Sequence, residues 1–338
     1  MALYGGIDLH SNNCVIVVID DQDRVVEEKR LPNHLDGIVA RLAPYQAELS
    51  GLVVESTYNW YWLVDGLMEA GYPVHLANTA AIQQYDGLKH SNDFTDAQWL
   101  AHLLRLGILP EGYIYPKEER GVRDLLRKRM QLVQQRTSNL LSIQTQTARH
   151  LGHTWSANRI KQLSSEDLND LIVDSHVALA ITSNLNVMTC LSQQISQLEK
   201  VIKAQTKLKP TFELLRTVSG IGDILGLTIM LETGDITRFK SAGNFASYCR
   251  CVGSERLSNG KRKGRGNTKN GNKYLAWAFV EAANFAVRYN PLIKSYYQRK
   301  AAKTNSIVAT KTVAHKLARA CYFILRDQVP FDVKLGFG

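Results

Sequence analysis

Four carboxylates stand where elements of the chain should begin or end, and their types and spacing suit metal-assisted phosphate chemistry. Asp8 closes the apolar strand pattern Tyr4-Gly5-Gly6-Ile7-Asp8, and the polar turn His10-Ser11-Asn12-Asn13 follows. Glu55 closes Gly51-Leu52-Val53-Val54, a short apolar run of the kind that forms a buried strand. Asp93 and Asp96 lie in Asn92-Asp93-Phe94-Thr95-Asp96-Ala97. This segment opens a run whose apolar residues Trp99, Leu100, Leu103 and Leu104 recur at helical spacing, with Asn92 or Asp93 as the cap. Three residues apart on a helix, Asp93 and Asp96 share one face. Oxygen-only ligands select hard cations such as Mg²⁺ or Mn²⁺, and two such ions about 3.5–4 Å apart can clamp the attacking and leaving oxygens of a phosphoryl transfer. Taken singly, each acid also has an ordinary reading, as a strand-end turn, a surface carboxylate or a helix cap that suits the dipole. Their convergence from two strand ends and one helix start is the reason to expect a site.

Charge points to a polyanionic partner. The chain carries 41 Lys and Arg against 31 Asp and Glu, a formal net charge of +10, with a pI near 9.3. The excess is concentrated in Arg256, Lys261, Arg262, Lys263, Arg265, Lys269 and Lys273, which follow one another with no Asp or Glu between them. Gly260, Gly264, Gly266 and Gly271 interleave them, so the backbone there can come close to phosphates. Charge alone would equally describe a solvated loop. Upstream, Ser219-Gly220-Ile221-Gly222 between apolar runs resembles a helix-hairpin-helix element, whose backbone amides at Gly220 and Gly222 would hold a DNA phosphate at a helix N-terminus. A Gly-x-Gly sequence also serves any tight turn.

The elements that must position these groups fall into three regions, and 338 residues give room for two or three domains. Residues 1–115 read as an α/β domain: a strand and hairpin over 4–26, then helices over 35–42 and 60–70 alternating with strands over 51–54 and 73–76. A hinge at residues 110–116 leads to a helical arm over 116–208, with one long helix over 117–151. Ile181, Met188, Leu191, Ile195, Leu198 and Ile202 form a heptad seam interrupted by Asn184. The seam suits a coiled-coil arm used for dimerisation, or a helical hairpin packed on itself. Residues 209–338 form a mainly α domain with apolar-patterned helices over 239–248, 274–287 and 311–325. The five cysteines form no CxxC pair and read as reduced thiols. With no apolar run near the roughly 18 residues of a membrane span, and no signal-peptide pattern, a cytoplasmic protein without a membrane partner is expected.

Gly6-Ile7-Asp8-Leu9-His10, Val54-Glu55-Ser56 and residues 92–97 resemble the ribonuclease-H-like nuclease fold of the Holliday-junction-resolvase type. Together with the Gly-Ile-Gly turn, Gly234-Asp235-Ile236-Thr237-Arg238-Phe239 and Leu257-Ser258-Asn259-Gly260-Lys261-Arg262, in that order, the chain resembles a DEDD transposase of the bridge-RNA-guided insertion sequences, relatives of the pilin-gene invertases. The resemblance covers nearly the whole chain and is most specific at residues 92–97 and 219–258. It implies a resolvase-like first domain, a coiled coil, and a C-terminal transposase domain with a nucleophilic serine. The DEDD acids fall on Asp8, Glu55, Asp93 and Asp96, and the serine on Ser258. It further implies Mg²⁺ at the acids, donor and target DNA, a guide RNA that pairs with both, and a homo-oligomer, dimer or tetramer.

Physical chemistry supports Ser258 independently. A serine hydroxyl needs its proton removed or withdrawn, a metal-bound carboxylate cluster does both, and Lys261, Arg262 and Lys263 beside it would hold phosphates. Ser258-Asn259-Gly260 is also ordinary turn composition. Two departures stand: the segment between Gly264-Arg265 and Thr268-Lys269 is slightly longer than in the family, and Ser254 lies close enough to be an alternative nucleophile. Three other readings compete. A resolvase-like metal-dependent nuclease would use the acids to activate water. An actin-like ATPase would use Gly6-Ile7-Asp8 as a phosphate loop, although His10-Ser11-Asn12 fits that loop poorly. An inert RNA-binding protein would not cut at all.

Overall fold

A five-stranded mixed sheet organises the first unit of the chain. The computed structural model describes residues 2–82, 92–164, 167–168, 171–206, 209–253, 255–265 and 270–338, and divides into two units, Met1–Lys117 and Glu118–Gly338. In the first unit β1 (Leu3–Leu9), β2 (Asn13–Ile19) and β3 (Val25–Pro32) form an antiparallel meander, while β4 (Leu49–Glu55) and β5 (Val74–Ala77) add parallel to β1. The order β3-β2-β1-β4-β5 is consistent with a ribonuclease-H-like domain. Alternation sorts the side chains between two layers. Ile7, Leu9, Ile16, Val18, Leu52 and Val54 pack under α1 (Leu35–Leu42) and α2 (Tyr61–Glu69). Val15, Val17, Ile19 and Val53 face the other way, toward Ala97, Leu100 and Ala101 of α3 (Asp93–Arg105).

Among the described residues the second unit is helical apart from one ribbon. The long helix α4 (Lys117–Leu151) pairs antiparallel with α6 (Ser175–Thr206): Arg129 bonds Glu199, Arg136 Nη1 donates to Ser192 Oγ at 3.3 Å, and Asn184 Nδ2 to Ser142 Oγ at 3.5 Å. The heptad seam found in the sequence therefore has a partner within the chain. Ile181, Leu185 and Met188 bury against Ile143, Trp155 and Ile160, the last on the short helix α5 (Ala157–Gln162). At the other end Leu126 and Ile202 join the core formed by α7 (Pro210–Arg216), α8 (Asp223–Thr233), α9 (Ala242–Tyr248), α10 (Lys273–Tyr289), α11 (Pro291–Lys303), α12 (Ser306–Asp327) and α13 (Val333–Phe337). Helix α10 presents Leu275, Ala278, Phe279, Ala282, Ala283 and Ala286 at three- and four-residue spacing, and all are buried. Between α9 and α10 the chain forms a two-stranded ribbon, β6 (Glu255–Ser258) and β7 (Lys261–Arg265). Among the described residues no helix is long and apolar enough to cross a membrane.

Candidate active site

Strand register brings the first two acids together. Ile7 pairs with Val54 in parallel strands, so the next positions, Asp8 and Glu55, sit side by side on the face toward α3. The helix is seated directly on that face. A Cβ at Gly6 would lie 2.0 Å from the Ala97 carbonyl oxygen and 3.0 Å from the Ala101 nitrogen, so only glycine lets α3 come this near. Asn92 caps the helix, accepting from the Thr95 amide while the Thr95 hydroxyl accepts from the Asn92 amide, and this fixes the first turn that carries Asp93 and Asp96. At the far end Arg105 forks onto Asp23 in the β2–β3 turn, and His102 Nδ1 lies 2.9 Å from the same carboxylate. All four predicted acids line one pocket of about 720 Å³, with Thr57, Thr79 and Trp99 also on its wall.

Two residues outside the predicted set complete the cluster. His10 Nε2 stands 3.4 Å from Asp8 Oδ2 and 3.2 Å from Asp93 Oδ2. Its backbone carbonyl accepts hydrogen bonds from the Asn33 and Asn59 amides, each at 3.0 Å, so the loop after β1 is pinned from two sides. Arg30 donates to Asp93 at 2.5 Å and to Asn13 at 2.8 Å. It reaches the site because Asp8 pairs with Val15 and Val15 with Arg30, one row across three strands. The period of two already carries His10 to the face of Asp8, a signal present in the sequence. Arg30 depends on hairpin register and has no such signal.

The electrostatics are those of acids crowded without enough positive charge. Burial, a hydrogen bond with Asp8, and the negative charges of Asp8 and Asp96 push the Glu55 carboxyl up to about 8. Asp93 is held below the usual carboxylate range, first by Arg30 and then by His10. Ligand atoms of Asp8, His10 and Asp93 lie within 4.8 Å of one another, a group that can hold a metal ion. The fit is good: carboxylates near enough to share a proton are the groups a divalent cation would separate and neutralise.

The second unit carries the other predicted residues. Ser258 is exposed at the end of β6 and pairs with Lys261, with Asn259 and Gly260 at φ 49° and 69° forming the turn between them. This is the Asn-Gly hairpin turn, so the turn reading and an accessible hydroxyl hold together. Lys261 and Lys263 are exposed on β7, and Arg256, Arg262 and Arg265 lie on the same two strands. Ser254 and Lys269 fall outside the described residues. Gly220, at φ 91°, lies against α10, where a Cβ would stand 2.3 Å from the Ala282 carbonyl oxygen; helix packing explains this glycine. Gly222 is exposed and caps α8.

A mixed five-stranded domain, consistent with a ribonuclease-H-like fold, gathers four acids, and the helical unit carries a basic ribbon; both features suit an enzyme that works on nucleic acid. Residues 5–149 match the DEDD transposase model of the IS110 type, and residues 212–298 match that of the transposase IS116/IS110/IS902 family. The chain belongs to this family of DEDD transposases. The transposase for insertion sequence element IS1111A of Coxiella burnetii is similar, 22% identical over 341 residues that take in 96% of this chain and 87% of that protein. An uncharacterised 43.6 kDa protein of insertion element IS110 from Streptomyces coelicolor is 23% identical over 191 residues, 54% of this chain. That match spans about half the relative's length, 47%.

Proposed function

We propose that the chain is an RNA-guided DNA recombinase that cuts and rejoins strands, with Asp8, Glu55, Asp93 and Asp96 holding Mg²⁺ or Mn²⁺ and Ser258 as the attacking group. The observation that carries this reading is the pocket that gathers all four acids in a chain of the transposase family. Exposure of Ser258 at a ribbon tip, beside Lys261 and Lys263, supports its part: a DNA strand can reach the hydroxyl, and the lysines can hold the flanking phosphates. In the attack the Ser258 oxygen bonds to a backbone phosphorus, the bond from that phosphorus to one deoxyribose oxygen breaks, and the departing oxygen takes up a proton. Rejoining reverses the exchange with a new strand's hydroxyl. Divalent cations bound at the acids would draw charge from the scissile phosphate and ease deprotonation of the hydroxyl.

The partners follow from the same reading. Donor and target DNA are substrates, a guide RNA selects them by pairing, and the active form is a homo-oligomer in which Ser258 meets the acids of its own or another protomer. The paired long helices, with Leu141, Leu179 and Val187 exposed along them, serve as the coiled-coil contact between protomers. Ser258→Ala and Asp8→Asn should each abolish strand cleavage of element-end DNA with Mg²⁺ and the RNA that co-purifies with the protein. If Ser258→Ala still cuts while Asp8→Asn does not, water is the nucleophile and the chain is a resolvase-like nuclease.

A further inference from the structure

The second unit holds a groove of about 640 Å³ between α4 and α10, whose lining shares only Lys273 with the basic run of the sequence. Its floor carries two aromatic rings, Tyr274 and Trp277, and its rims carry the exposed Lys128 and Lys273, with Gln131 beside Lys128. Helical spacing makes Lys128 and Gln131 neighbours on α4, and on α10 makes Trp277 the neighbour of both Lys273 and Tyr274.

Tyr274 already packs against cations: the Arg127 guanidinium lies 4.7 Å and Lys273 Nζ 5.2 Å from its ring centroid, and both oxygens of buried Glu232 accept from Arg127, at 2.6 and 2.7 Å. Glu232 also accepts from Asn272 Nδ2 at 2.7 Å, and Asn272 Oδ1 accepts from the amides of Tyr274 and Leu275 at the start of α10. Because Glu232 offsets Arg127, the charge facing the groove comes from Lys128 and Lys273, opposed by Asp124. The start of α10 is also tied to the end of α9: the Asn272 backbone amide donates to the Tyr248 carbonyl at 2.6 Å, and Arg250 Nε donates to the carbonyls of Asn270 and Gly271 at 3.1 Å each.

We propose that this groove binds a single-stranded segment of nucleic acid, with an unpaired base stacked on Trp277 beside Tyr274 and phosphates at Lys128 and Lys273. Aromatic faces accept any base, and lysines follow the backbone; duplex bases are already stacked and cannot use the rings. The proposal rests on the reading of the chain as a nucleic-acid enzyme. It adds a single-strand binding site on α4 and α10 to the acids and the ribbon already described.

Fluorescence anisotropy of the full chain tests it, with labelled oligo-dT and oligo-U of about 12 nucleotides, within the usual site size, and a duplex of equal length. Trp277→Ala should weaken single-strand binding about tenfold while Trp277→Phe stays within about threefold, as expected for stacking. Lys128→Glu and Lys273→Glu leave the core untouched, and each should weaken binding and flatten its salt dependence. Loss on oligo-U alone assigns the groove to RNA, and equal loss on both oligomers assigns it to either strand. Absence of single-strand binding, unchanged binding by the lysine variants and Trp277→Ala, or equal losses on the duplex overturn the proposal. These outcomes are separate from the recombinase test: groove variants can lose oligonucleotides whether or not Ser258→Ala still cuts.

Discussion

Glu55 is the residue whose proton balance reports most directly on the crowding of the acids. Its carboxyl is raised from an ordinary 4.5 to about 8, so the folded protein holds this proton more tightly than the unfolded chain does. The corresponding stability is fully present below about pH 4.5 and is lost as the pH rises through about 8. With chelator present, urea midpoints should therefore fall between those limits, and Glu55→Gln should flatten the fall. Mg²⁺ favours the ionised acid and should reduce the same slope. A wild-type midpoint that rises over this range in chelator would mean that Asp8 and Asp96 do not crowd Glu55. His10 and Arg30 belong to the same balance, since they place nitrogen atoms against Asp93 where cations would otherwise be needed.

Helix α3 and the strands beneath it decide whether the acids meet at all. Gly6→Ala would push a methyl group into the Ala97 carbonyl, at a cost of about 3 kcal/mol, read as a lower urea midpoint together with weaker Mn²⁺ binding. Unchanged midpoint and binding would show that the helix tolerates a shift. The strands, the acids and the helix over 117–151 were legible in the sequence because apolar period and polar punctuation agree there. The Ser258 ribbon is not legible as strands: Lys261-Arg262-Lys263-Gly264-Arg265 has no apolar alternation, and only Asn259-Gly260 marks the hairpin. Arg30 carries no local signal, because its position depends on the β2–β3 register. The heptads of α6 were visible, but a heptad does not say which helix it faces, and here it faces α4.

At the scale of the molecule, the net charge of +10 and the exposed lysines of the ribbon predict electrostatic binding of nucleic acid. Affinity for duplex DNA should fall about tenfold or more between roughly 50 and 200 mM salt, and a flat salt profile would argue against phosphate contacts. The unit with the acids and the unit with Ser258 each have their own core, so the proposed chemistry requires two separately folded parts to act on one phosphate. Mass spectrometry of the peptide that spans Ser258, after reaction with a nicked DNA substrate that traps the cut strand, tests this most directly. The predicted result is a nucleotide joined to Ser258 through a phosphodiester, absent in Asp8→Asn; efficient cleavage with Ser258 unmodified would contradict it.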